Sequence, residues 1–142
     1  MSIWIVAADA ACARIFQGES LRGEWEEVED LADPLARHPS DDPPTGEQGR
    51  MSGNHGTHRL QPKHSPRESA DIAFARLVCA RLRRALDSNR IQSFCLVAAP
   101  HFLGLLRQSM DEHLGKALLR DLDKDLSRHT VSEIRQHLLA PP

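Results

Sequence analysis

Ile3-Trp4-Ile5-Val6-Ala7-Ala8 is an unbroken apolar run of strand-forming residues. A run without polar alternation predicts a strand covered on both faces, and so one inside a sheet. After a turn at Asp9-Ala10, Ala11 to Gln17 alternates less cleanly, with Arg14 between Ala13 and Ile15, and predicts a second strand. Gly18 to Gly23 reads as a turn. Trp25, Val28 and Leu31 stand among Glu24, Glu26, Glu27, Glu29 and Asp30, the pattern of a third, acidic strand nearer a sheet edge. The short connections make these three an antiparallel meander.

From Asp33 to Ser65 neither the helical nor the strand period is present, and prolines, glycines and four histidines (His38, His55, His58, His64) take over. Connections longer than about 12–15 residues are uncommon within compact domains and tend to be functional or disordered. The reading is a long flexible loop at 33–65, presented by an otherwise ordinary scaffold.

Ser65-Pro66-Arg67-Glu68 then supplies a capping hydroxyl, a proline at the first helical position and a glutamate three residues past the cap. Ile72, Ala75, Cys79, Leu82 and Leu86, joined by Phe74, Leu77 and Val78, predict a helix with a wide apolar face through about Ser88. Phe94 to Ala99 reads as a second buried strand. Pro100 opens a helix carrying apolar positions as far as Met110 and Leu114. Gly104 within it costs about 1 kcal/mol of helix propensity against alanine and predicts close approach to a neighbour. The first half of Ala117 to Leu126 reads as a third buried strand, with a helical turn as the rival. Thr130-Val131-Ser132-Glu133 is a capping box opening a last helix with Ile134 and Leu138. The order predicts one α/β domain over residues 1–142. It is a ribonuclease H-like mixed five-stranded sheet, a three-strand antiparallel meander followed by α-β-α-β-α, with helices on both faces and the long loop before the first helix.

Composition changes this picture little. The 142 residues suit one domain with a real core, and 40% hydrophobic with 27% charged residues is ordinary for a soluble chain. A formal net charge of −2 gives no global argument for nucleic acid or membrane, so any basic surface must be local. Met1 to Asp9 is too short, and too free of basic residues, for an export signal, and no run approaches the ~20 apolar residues of a membrane span. Cys12, Cys79 and Cys95 are odd in number and far apart, with the last two in apolar runs. Cys79 and Cys95 read as buried small hydrophobes, and the default is a reducing, cytoplasmic compartment.

The candidate chemistry divides by residue type. A two-metal nuclease needs several carboxylates, and Asp9 with Glu68 or Asp71 supplies only part of the set, because Ser93 to Ala99 carries no acid. Asp9 reads better as a turn residue and Glu68 as a cap. Asp121, Asp123 and Asp125 would share one face of a strand, but a magnesium or calcium site needs more oxygen ligands. His55 and His58 have zinc-like spacing without a cysteine nearby. No metal or cofactor is expected. The better argument is cationic: Arg76, Arg83 and Arg90 recur every seven residues, Arg84 adjoins them, and Arg50, Arg59 and Lys63 lie in the loop. Such a set binds RNA phosphates with little sequence preference. The competing reading is a solvated helix face paired with Asp71 and Asp87. The absence of tyrosine argues against a base-stacking platform. No dinucleotide, Walker or nucleophile-elbow motif is present.

Ala8-Asp9, Ala13-Arg14-Ile15-Phe16, Val28-Glu29-Asp30-Leu31, Pro100-His101-Phe102-Leu103-Gly104-Leu105-Leu106-Arg107 and Leu122-Asp123-Lys124-Asp125-Leu126 occur in that order. Through them the chain resembles, over nearly its full length, the bacterial host attachment proteins, required for attachment to host cells. That family in turn resembles the middle domain of archaeal and eukaryotic class I release factors. There the loop before the first long helix carries a Gly-Gly-Gln tip for peptidyl-tRNA hydrolysis. Here the loop carries Gly46-Glu47-Gln48-Gly49, with Glu47 in place of the second glycine, which reduces backbone freedom and adds a negative charge. The resemblance implies a non-enzymatic cytosolic domain associated with the ribosome or tRNA. One alternative is a dimeric protein-interaction module that affects attachment indirectly. Another is a peptidyl-tRNA hydrolase acting through Gln48.

Overall fold

The computed structural model describes residues 2–34 and 65–140. The expectation of a flexible 33–65 loop falls almost wholly outside them. The elements are β1 (Ile3–Ala8), β2 (Cys12–Gly18), β3 (Glu26–Ala32), α1 (Pro66–Asp87), β4 (Ser93–Ala98), α2 (Pro100–Ser109), α3 (Glu112–Lys116), β5 (Leu118–Leu122) and α4 (Val131–Leu139).

The apolar run of β1 occupies the middle of a five-stranded sheet of order β3-β2-β1-β4-β5. β1 pairs antiparallel with β2, from Ile3 opposite Gly18 to Ala8 opposite Ala13, and parallel with β4, from Ile3 opposite Ser93 to Ala8 opposite Ala98. β3 adds antiparallel to β2 and β5 adds parallel to β4, each with a register shift. The mixed sheet expected from the element order is therefore present. Trp4, Val6 and Ala8 point to a core shared with Phe74, Val78 and Leu82 of α1 and Phe102, Leu103 and Leu106 of α2. Ile3, Ile5 and Ala7 point the other way, to Phe16, Trp25, Leu126, Ile134 and Leu138. Helices α1, α2 and α3 thus cover one face and α4 the other. Both faces of β1 being covered is why it carries no polar residue.

Ser65 caps α1, its Oγ accepting from the Glu68 N–H at 3.1 Å, with Pro66 at the first turn. The helix ends at Asp87 with Ser88 as its C-cap, followed by Asn89 at φ 62°, a left-handed position that asparagine tolerates. The capping box of α4 is complete: Thr130 Oγ1 accepts from the Glu133 N–H at 3.1 Å, and Glu133 Oε1 accepts from the Thr130 N–H at 3.0 Å. Gly18 is required by packing, since a Cβ there would lie 2.9 Å from Cδ1 of Trp25.

Four expectations are corrected. The third buried strand is instead β5 at the sheet edge, where no residue is fully buried and Leu119 is 55% exposed. The helix opened by Pro100 does not run on to Leu114. It stops at Ser109, Met110 is extended, and Asp111 caps a new short helix by accepting from the Leu114 N–H at 2.7 Å. Leu77 is outside the buried face of α1 at 40% exposure. Gly104 approaches nothing, because a Cβ built there has no heavy atom within 4 Å. No described helix is long and apolar enough to cross a membrane.

Candidate functional site

The arginines of α1 sort into two groups once their neighbours are known. Arg81 donates from Nε and Nη2 to both carboxylate oxygens of Glu29, at 2.6 and 2.8 Å. Its guanidinium also lies 5.0 Å from the ring centroid of Trp4, and Arg90 lies 5.1 Å from the same ring. Arg83 donates from Nε to Asp87 Oδ1 at 3.1 Å and from Nη1 to Asp111 Oδ2, which ties α1 to the cap of α3. The Leu114 N–H, and after it the charge of Arg83, hold the Asp111 carboxyl below its usual range.

Arg76 and Arg84 are different. Both are exposed, and neither has an ion-pair partner among the described residues. Arg84 acts on Glu29 only through space. Arg67, in the first turn, is likewise exposed and unpaired among the described residues. The helical period puts Arg76 and Arg83 on one flank of α1, toward α2 and α3, and Arg84 about 80–100° away on the outer face. The expected alignment of Arg76, Arg83 and Arg90 is thus divided: one is unpaired, one bridges two aspartates and one covers an indole. Arg50, Arg59, Lys63 and Gln48 lie outside the described residues, as do the four loop histidines.

Asp9, Asp121 and Asp125 have structural partners. Asp9 Oδ1 accepts from the backbone N–H groups of Ala11 and Cys12 at 2.7 and 2.9 Å, and Oδ2 accepts from Ser127 Oγ at 2.8 Å. Partial burial pushes its pKa up, but these hydrogen bonds outweigh it and leave the carboxyl below its ordinary value. Asp121 accepts from Nε and Nη2 of Arg107 at 2.8 and 2.6 Å. β5 ends at Leu122, so Asp123 and Asp125 lie beyond the strand; Asp125 instead accepts from the Ser127 N–H at 3.3 Å and shares the one Ser127 hydroxyl proton with Asp9. No cluster of three or more metal-ligating side chains occurs among the described residues.

A groove runs along the seam of α1 and α2. Its main cavity, about 560 Å³, is bounded by Glu68, Ile72 and Arg76 on one side and by His101, Gly104 and Gln108 on the other. It continues past Arg76 and Ser109 into a smaller cavity of about 230 Å³ beside Cys79, Arg83 and Asp111. The stacked rings of Phe74 and Phe102, with centroids 5.9 Å apart, join the two helices. Sequence reasoning missed this groove. Its one signal in the sequence is Gly104, which is costly in a helix and serves no close contact.

Arg14 was also missed. It donates to Glu27 at 3.1 and 3.2 Å and to the carbonyls of Ser127 and His129 at 3.0 and 2.8 Å, fastening the segment before α4 to the sheet.

The family model described as "Protein required for attachment to host cells" matches residues 4–138. No curated protein matches the chain. Among solved structures, an archaeal protein is similar at 14% identity with a TM-score of 0.49, over 94% of this chain and 32% of that one. An archaeal translation termination factor is similar at 13% identity with a TM-score of 0.48, over 96% of this chain and 37% of its own. The chain thus spans about a third of the length of these structures.

Proposed function

We propose that this chain, which belongs to the family of proteins required for attachment to host cells, is a non-enzymatic RNA-binding module of the ribosome-associated class, working in the cytoplasm. The observation that carries this reading is the pair Arg76 and Arg84, exposed and without ion pairs among the described residues, on a helix whose Arg81 and Arg83 are held by carboxylates. Binding to a phosphate backbone draws its free energy from counterion release. A guanidinium already forked onto a carboxylate contributes little of that, whereas an unpaired one contributes fully. Arg67 extends the unpaired set along the helix. On this reading Arg50, Arg59 and Lys63 are further phosphate anchors, and recognition is by charge with little sequence preference.

Fractionation of a lysate on sucrose gradients at low and high salt tests it. Co-migration with ribosomes at low salt that is lost at high salt is the expected result. Migration at the top of the gradient under both conditions, with no binding to purified RNA, would end the reading.

A second reading is favoured by a separate observation. Leu119 is 55% exposed at the register shift of edge strand β5, and with Ile3, Leu21 and Leu139 it bounds a cavity of about 470 Å³. An exposed leucine beside an apolar hollow on a sheet edge suits a protein partner or a second copy. Such a module would act on attachment through that partner. Sedimentation of the purified chain as a dimer that Leu119→Asp dissociates would support this reading over the first.

A further inference from the structure

We propose that the groove between α1 and α2 seats one nucleotide of a bound RNA strand and that Gly104 keeps it open. This inference rests on the RNA reading above and names the place on the protein where the strand touches more than charge.

The argument begins with the glycine. In the interior of α2 it sacrifices about 1 kcal/mol of helix stability relative to alanine. Two structural reasons commonly retain such a glycine, and both are absent. No described glycine has a positive φ, and a Cβ at Gly104 would meet nothing within 4 Å. The missing side chain therefore leaves open space on the side of α2 that faces the groove. His101, Gly104, Leu105 and Gln108 follow the i, i+3, i+4, i+7 spacing and form one stripe, with Gly104 in its middle. Ile72 and Arg76, one turn apart on α1, form the opposite wall.

The lining fits the parts of a nucleotide. About 560 Å³ lies within the range of small-ligand sites. Arg76 borders both the main cavity and its extension, so a phosphate at their junction meets an unpaired guanidinium. Ile72, Leu105 and the open face at Gly104 offer an apolar bed for a base. The Gln108 amide both donates and accepts, as a base edge requires. Ser109 Oγ donates to the Leu105 carbonyl at 2.9 Å, which leaves its lone pairs available to a ribose hydroxyl.

Binding of a fluorescein-labelled oligoribonucleotide, followed by anisotropy on the full chain, tests the proposal. Gly104→Leu fills the groove without changing charge and is expected to weaken binding about tenfold, a loss of about 1.4 kcal/mol. Gly104→Ala is expected to raise the melting temperature while lowering affinity. Gln108→Ala provides a second route should Gly104→Leu fail to give a native circular dichroism spectrum. Amide NMR shifts of Gly104 and Gln108 on addition of uridine monophosphate would locate the contact. If Gly104→Leu and Gln108→Ala bind as tightly as the parent while Arg84→Glu weakens binding, the groove is not the seat and the RNA reading stands. If the parent binds no RNA, both fall together.

Discussion

Arg81 of α1 donates two hydrogen bonds, 2.6 and 2.8 Å long, to Glu29 of β3, with its guanidinium 5.0 Å from the ring of Trp4. The acidic edge strand and the arginine-rich helix are in this respect one device. Part of the charge on each is cancelled internally, across a pair whose side chains are only 17% and 25% exposed. Removing one partner leaves the other charge half-buried and alone. Arg81→Ala is expected to cost about 1–3 kcal/mol in urea unfolding, whereas Arg84→Ala on the outer face should stay within about 0.5 kcal/mol of the parent. Equal effects of the two would show that the ion pair contributes nothing to the fold.

The unpaired arginines give the complementary expectation. Replacing Arg76 and Arg84 together with glutamate should leave the unfolding midpoint nearly unchanged and abolish most RNA binding. The slope of log K against log salt should fall by about 1.4, at roughly 0.7 per lost contact on a single strand. A salt titration by anisotropy reads the slope directly, and an unaltered slope would remove these residues from the interface.

Acid should destabilise the fold. Arg81 holds the Glu29 carboxyl below its ordinary range, and the Thr130 N–H does the same for Glu133. For Asp9, burial raises the pKa, but the N–H groups of Ala11 and Cys12 and the Ser127 hydroxyl more than offset it. A carboxyl whose folded pKa lies below its unfolded value stabilises the fold fully above that unfolded value, near 3.8 for aspartate and 4.5 for glutamate. The contribution is lost as pH falls through the folded pKa. Asp30 runs the other way, its pKa raised by its hydrogen bond with Glu27. With the lowered groups in the majority, the melting temperature should hold from pH 7 to about 5 and drop below about pH 4. A flat profile down to pH 3 would contradict this balance.

The cysteines should be inert in the folded chain. All three are free, and burial pushes Cys79 up to about 12 and Cys95 up to about 11. Cys12 is half-exposed, but burial and then the Asp9 charge raise its pKa as well. At pH 8 an aromatic disulfide reagent should titrate Cys12 slowly and the other two only after denaturation. Rapid reaction of Cys79 in the native state would show that α1 opens locally.

The sheet could be read from the sequence because its signals are local. The continuous run Ile3–Ala8 requires cover on both sides, Ser65-Pro66 and Thr130 mark helix starts by their caps, and Phe94–Ala98 repeats the buried-strand pattern. The Asp111 cap was missed because apolar residues at Met110 and Leu114 hold the helical period across a break that only one side-chain hydrogen bond defines. Ion pairing was out of reach for a different reason. Arg83 is expected from the sequence to bind phosphate, with pairing to Asp87 four residues on as the competing reading, whereas Asp111 and, for Arg81, Glu29 become neighbours only after the chain has crossed over the sheet. That is why the arginines looked like one face in the sequence and divide in the fold. Gly104 stands out in the sequence by its helical cost, but the close approach that this cost predicts is absent from the fold.

The two tryptophans lie on opposite sides of the sheet, Trp4 against α1 and α2 and Trp25 against α4. Trp4 is wholly buried with two guanidinium groups about 5 Å from its ring, while Trp25 is 8% exposed and donates to the Leu21 carbonyl. Each layer of the molecule therefore contains its own fluorophore. With Trp4 or Trp25 replaced by phenylalanine, emission from the remaining indole would report on a single layer, and the two melting curves together would tell whether the layers come apart in one step or two.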